Sequence, residues 1–129
     1  MNILGIDFGT RKIGLAWVQS GIDVVLPFGL VEQGSGDDNV AKIVSIVEEE
    51  SIDKIVIGLP LGQEGEENDN TKRIRSFAKD LSDKTDKPIA FVNEAYSTHE
   101  AANLGGDASV DERSAMIILQ EFLSGAEVQ

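Results

Sequence analysis

The stretch from Ile3 to Trp17 constrains the fold more than any other part of the chain. Ile3-Leu4-Gly5-Ile6-Asp7-Phe8-Gly9-Thr10 has the composition of a short β-strand that is apolar on both sides, yet it carries one carboxylate near its end. An ionised carboxylate bordered by Leu4, Ile6 and Phe8 is costly to leave unpaired. Asp7 is therefore expected to meet a cation, hydrogen-bond donors or open water where the strand ends. Gly9-Thr10-Arg11-Lys12 supplies a turn, and Ile13-Gly14-Leu15-Ala16-Trp17-Val18 the returning strand. The product is a hairpin with an acid at its mouth. Gly5, Gly9 and Gly14 leave room for another backbone, a metal or a phosphate to come close to Asp7. An ordinary glycine-rich hairpin with an incidental aspartate satisfies the same residues.

At 129 residues the chain suits one domain, 1–129, with a real core. The absence of cysteine excludes a disulfide framework, a thiolate metal site and a cysteine nucleophile, and suits a cytoplasmic protein. Met1-Asn2-Ile3 lacks the basic and apolar regions of a signal peptide, and no apolar run approaches about 18 residues, so no membrane partner is expected. A net charge of −12 opposes binding of a polyanion. Its distribution is uneven, however: Lys72, Arg73, Arg75, Lys79, Lys84 and Lys87 are six of the eleven basic residues. A basic binding face and a solvated helix surface both fit that cluster.

Gly21 marks a turn, and Val24 to Val31 is a third strand in which Pro27 implies a sheet edge or a bulge. Three strands in succession predict an antiparallel meander. Ser35-Gly36-Asp37-Asp38 offers turn and N-cap chemistry before Val40, Ile43, Val44 and Val47, whose spacing predicts a helix ending near Glu50. Ile52 to Leu59 is a buried strand and Leu61 to Asn70 a polar loop. Thr71 to Asp83 is a helix with Ile74, Phe77, Ala78 and Leu81 inward and Lys72, Arg75 and Lys79 on another face. Pro88 to Val92 is the fifth strand, with Asn93 and Glu94 at its end. Ser97-Thr98-His99-Glu100 suggests a short helix stopped by Gly105-Gly106. Ser109-Val110-Asp111-Glu112 then suggests a capping box for a last helix that turns Ala115, Ile118, Leu119 and Phe122 inward, widened by Met116 and Leu123. The order predicts an α/β fold: a five-stranded mixed sheet, three antiparallel strands followed by parallel additions, flanked by helices.

Asp7 ends the first strand, Glu94 the fifth, and Asp111 lies in the first turn of the closing helix. Ligands of open sheets gather at strand ends, so the three acids are expected to converge. Like charges so close need compensation, and hard divalent cations with oxygen ligands supply it. Mg²⁺ or Mn²⁺ suits such a set. With no cysteine and one histidine, Zn²⁺ does not.

Four blocks in order resemble the YqgF/RuvX family: Leu4 to Gly14, Lys54 to Leu61, Val92 to Thr98, and Asp111 through Ile117 to Leu123. These are small ribonuclease H-like proteins described as Holliday junction resolvases and as nucleases that trim the precursor of 16S ribosomal RNA. The resemblance implies that Asp7, Glu94 and Asp111 are catalytic acids holding two Mg²⁺ or Mn²⁺ ions at the scissile phosphate. Gly9, Thr10, Ser97 and Thr98 are candidate donors to phosphate or to a carboxylate, with turn and cap roles as the alternative. Arg11, Lys12, Lys72 and Arg75 are candidate substrate contacts. His99 is expected at the surface and Trp17 in the core. The chain departs from the family where Asn93-Glu94-Ala95-Tyr96 replaces Asp-Glu-Arg-Leu, and where the loop before the last helix is short and acidic. Fewer basic groups imply weaker nucleic-acid affinity.

Three functions follow. The first is a metal-dependent nuclease acting on precursor 16S ribosomal RNA or, alternatively, on branched DNA. The second is a phosphate-binding relative of the actin and hexokinase superfamily, whose first phosphate loop also reads Asp-x-Gly-Thr; those ATPases need two such domains. The third is a noncatalytic binding or ribosome-assembly module. The expected partner is nucleic acid, RNA before branched DNA, and the expected state is a monomer or homodimer, with Phe28, Tyr96 or the last helix as candidate interface.

Overall fold

The computed structural model describes residues 1–9, 11–19, 21, 24–33, 37–61, 64–93, 110–125 and 127–128. The turn at Ser35-Gly36, the short helix expected from Ser97 and the capping residue Ser109 lie outside the described residues. Strands β1 (Ile3–Phe8), β2 (Lys12–Val18) and β3 (Leu26–Glu32) form the expected antiparallel meander. Helix α1 (Asp37–Glu49) leads into β4 (Lys54–Leu59), parallel to β1, and α2 (Asp69–Thr85) into β5 (Ile89–Asn93), parallel to β4. Helix α3 (Val110–Leu123) and a short β6 (Glu127–Val128), antiparallel to β5, follow. The strand order is β3-β2-β1-β4-β5-β6. All five expected strands are present with the expected directions. The addition is β6, whose two residues are too few to leave a periodic signal.

β1 is apolar on both sides because the sheet is covered on both. Leu4, Ile6 and Phe8, with Ile13, Leu15, Ile55, Ile57 and Leu59, pack against Val40, Ile43 and Val47 of α1 and Ile74, Phe77, Ala78 and Leu81 of α2. Ile3, Ala16, Val18, Val56, Ala90 and Val92 meet Ala115, Ile118 and Leu119 of α3 on the other face. Each fully buried Leu or Ile contributes roughly 1.5–3 kcal/mol. Ile117 is buried as well, whereas Leu123, the last helical residue, is exposed. Pro27, expected at an edge or a bulge, lies at both: β3 is a sheet edge, and its register with β2 slips where Leu15 pairs with Gly29 and Ala16 with Pro27. Phe28, the bulged residue, meets half-buried Trp17 edge-on at 5.0 Å.

Helix α2 begins earlier than its apolar spacing suggests because Asn68 caps it. The Asn68 side chain accepts from the Thr71 N–H at 2.9 Å, and the Thr71 hydroxyl accepts from the Asn68 N–H at 2.8 Å. Among the described residues no helix is long and apolar enough to cross a membrane.

Candidate functional site

Asp7 pairs directly with Gly14 across the β1–β2 ladder. Directly opposed residues project on the same face of a sheet. For this pair it is the face under α3, because a Cβ built on Gly14 would lie 2.0 Å from the Asp111 carbonyl oxygen and 3.0 Å from the Asp111 Cβ. Only glycine admits that approach. The first turn of α3 therefore rests on the main chain of β2 at the rung that carries Asp7, and the two aspartates, both half-buried, are neighbours across Gly14. A second glycine admits the same helix closely: a Cβ on Gly5 would lie 2.5 Å from the Leu119 Cγ and 3.1 Å from the Ala115 carbonyl oxygen. At Gly5 and Gly14, then, the close neighbour is α3.

At Gly9 the close neighbour is the turn itself. Its N–H donates to the Lys12 carbonyl at 3.0 Å and lies 3.2 Å from the Asp7 carbonyl. This corrects the expectation of a Gly9 N–H directed at phosphate, since the donor is already committed within the hairpin. Gly9 instead lines an open cleft of about 430 Å³ together with Arg11, Lys12 and Asp111. Arg11 and Lys12 are exposed. Two cations and a carboxylate on one cleft suit an anionic strand approaching the acid pair.

β1, β4 and β5 are parallel and end at one edge of the sheet, so Asn93 finishes level with Phe8, two strand spacings or roughly 10 Å away. Glu94 follows Asn93 and lies outside the described residues, as do Thr10, Tyr96, Ser97, Thr98 and His99. Among the described residues no three acidic or histidine side chains gather as a metal-binding group. The described part of the expected triad is Asp7 with Asp111.

Lys72 and Arg75 belong to α2. Helix α2 packs on the opposite face of the sheet from α3. Arg75 lies over the Phe91 ring at 4.9 Å, and its Nε and Nη2 donate to the Glu67 carboxylate at 2.9 and 2.8 Å. The Arg75 hydrogen bonds, the largest cause, hold the Glu67 carboxyl down to about 2. On the same helix Arg73 lies over the ring of Phe8 at 5.0 Å and donates to the Asn70 side chain at 2.7 Å. The basic cluster pointed at this helix without distinguishing its members. Sequence reasoning also passed over Gln33, whose side-chain Nε2 donates to the Gly9 carbonyl.

Fold and site together define an α/β domain of the ribonuclease H-like class with two carboxylates at the edge of its sheet. A model of the RuvX family, described as Holliday junction resolvase, matches residues 1–125, and the chain belongs to this family. A relative from Maridesulfovibrio salexigens, named "Putative pre-16S rRNA nuclease", is 33% identical over 135 residues, spanning 98% of this chain and 100% of the relative. Another of that name, from Nitratidesulfovibrio vulgaris strain Miyazaki F, is 33% identical over 133 residues, 96% of this chain and 94% of its own. Among solved structures, T. thermophilus RuvC in complex with Holliday junction substrate superposes over 98% of each chain with a TM-score of 0.66 at 11% identity, a likeness of fold.

Proposed function

We propose that the chain is a divalent-metal-dependent nuclease that hydrolyses phosphodiester bonds of the precursor of 16S ribosomal RNA. The observation that carries this reading is the seat of Asp111 on Gly14, opposite Asp7. Two carboxylates held together at the end of an apolar strand repel one another, and a hard cation relieves that repulsion. The donor set is carboxylate oxygen, which fits Mg²⁺ or Mn²⁺. Asp7 and Asp111, with Glu94, would hold the metal. When bound as a pair, such ions supply Lewis acidity to the scissile phosphate, to the attacking water and to the departing 3′ oxygen. The chain itself binds and orients. Arg11 and Lys12 hold the strand's phosphates over the cleft, Thr10, Ser97 and Thr98 donate to phosphate or to a carboxylate, and α3 keeps Asp111 in register with Asp7.

Relatives over nearly the full length carry the name of a pre-16S rRNA nuclease, which supports RNA as the substrate. The description of the family model supports a second reading, branched DNA. The test is cleavage of labelled single-stranded RNA resembling a ribosomal precursor end, in parallel with a four-way DNA junction, with Mn²⁺ and with chelator. Metal-dependent cutting of the RNA is expected. Cutting of the junction alone selects the second reading. If neither substrate is cut at low salt, the fold serves a noncatalytic binding module.

A further inference from the structure

Among the described residues, Gln33 makes two hydrogen bonds to the turn that carries Arg11 and Lys12. The Gln33 side chain donates through Nε2 to the Gly9 carbonyl, and its main-chain N–H donates to the Arg11 carbonyl at 2.9 Å. Only a donor can face the Gly9 carbonyl, so the amide is oriented with Nε2 toward the turn and Oε1 away from it. Oε1 accepts from the Asn39 Nδ2 of α1 at 3.3 Å. Asn39 is only 5% exposed, beside the buried Val40. Its own Oδ1 is buried without a hydrogen-bond partner among the described residues. An unsatisfied buried amide oxygen is unfavourable, and an apolar side chain would pack at that position without the penalty. The contact that Asn39 does make is the one that orients Gln33.

We propose that Gln33, oriented by Asn39, is a positioning residue. It braces the Gly9–Lys12 turn against α1 and so sets where Arg11 and Lys12 meet the substrate's phosphates. The proposal rests on the nuclease reading for its consequence and on hydrogen bonding alone for its geometry. Neither side chain need touch the substrate. Main-chain carbonyls fixed at two points of a short turn leave it little freedom, and a rigid turn presents its cations without an ordering cost at binding.

The test is Gln33→Glu, which keeps an acceptor for Asn39 but turns a carboxylate oxygen toward the Gly9 carbonyl, with Asn39→Leu as an independent second variant. Amide hydrogen exchange reads the turn at Gly9, with Ile6 and Ile57 as references for the sheet. Steady-state cleavage of labelled precursor-like RNA reads the consequence. In Gln33→Glu we expect Gly9 exchange about ten-fold faster with Ile6 and Ile57 unchanged, and KM raised about ten-fold, equivalent to about 1.4 kcal/mol, with kcat within about two-fold. Asn39→Leu should act in the same direction and more weakly. Unchanged Gly9 exchange, exchange that accelerates equally at all three amides, or a loosened turn with wild-type KM overturns the proposal. The exchange arm reads the brace even in a chain that cuts nothing, so failure of the nuclease reading and failure of the brace are distinguishable.

Discussion

Replacing Gly14 by alanine tests the contact that brings the two aspartates together. The new methyl carbon would fall 2.0 Å from the Asp111 carbonyl oxygen and 2.3 Å from the Asp111 carbonyl carbon. Non-bonded carbon atoms prefer separations near 3.5–4.0 Å, so the first turn of α3 must withdraw by about 1 Å or more. The obstacle is helix backbone, which cannot swing aside as a side-chain tip can. Overpacking of this kind costs about 1–3 kcal/mol, which a domain with roughly 5–15 kcal/mol of stability survives folded, with Tm lowered by several degrees. Activity is far more sensitive. A displacement of about 1 Å at a reacting centre costs roughly 100-fold in rate, and constellations of this kind tolerate only about 0.5 Å. We therefore expect Gly14→Ala to fold and to lose about two orders of magnitude in metal-dependent kcat/KM. Gly5→Ala is the control, because its first obstacle is the Leu119 side chain, the Cγ at 2.5 Å and the Cδ1 at 3.0 Å. It should lower Tm comparably and kcat/KM by much less. A folded Gly14→Ala with wild-type kcat/KM would refute the role of the close approach.

Three further outcomes are expected. Arg11→Ala and Lys12→Ala should each weaken single-stranded RNA binding and flatten the log–log salt dependence by about 0.7, whereas an unchanged slope removes that residue from the phosphate contacts. Asn68→Ala should cost about 1 kcal/mol in thermal or urea unfolding by removing the α2 cap, with kcat untouched. The Glu67 carboxyl, held at about 2 against an ordinary 4.5, contributes stability that is fully present above about 4.5 and lost as pH falls toward about 2. Carbon-detected NMR titration should place its midpoint near 2, and Arg75→Ala should return it toward 4.5; a wild-type midpoint already at 4.5 would mean that the ion pair does not persist in solution.

Much of the architecture was legible because it is periodic. The apolar run of β1, the three- and four-residue spacing of Val40, Ile43 and Val47, and the inward face of Ile74, Phe77, Ala78 and Leu81 each record burial directly. Pro27, through its missing N–H, implied an edge or a bulge, and β3 has both. What was not legible depends on tertiary docking. Gly14 showed that something approaches, but only the path of α3 says that it is the backbone of Asp111. Gln33 and Asn39 looked like ordinary polar residues around a turn, because no spacing rule links a strand end, a helix start and a distant hairpin. Glu67 lies in the stretch read as a polar loop, yet it faces Arg75 eight residues on, beyond the three- or four-residue reach that helix patterns encode. The spacing of Lys72 and Arg75 shows that they share a helix surface, but charge carries no information about which face of the sheet that helix covers.

The most direct test of a shared metal site is Mn²⁺ binding by calorimetry to the wild-type chain, Asp7→Asn and Asp111→Asn, with each variant's unfolding measured alongside. The expected result is Mn²⁺ binding by the wild type that falls by more than about 10-fold in each single variant, both still folded, because even outer-shell partners of metal ligands commonly contribute 10- to 100-fold. Wild-type affinity in both folded variants would contradict it, leaving Asp7 and Asp111 as neighbours brought together by packing rather than by a metal.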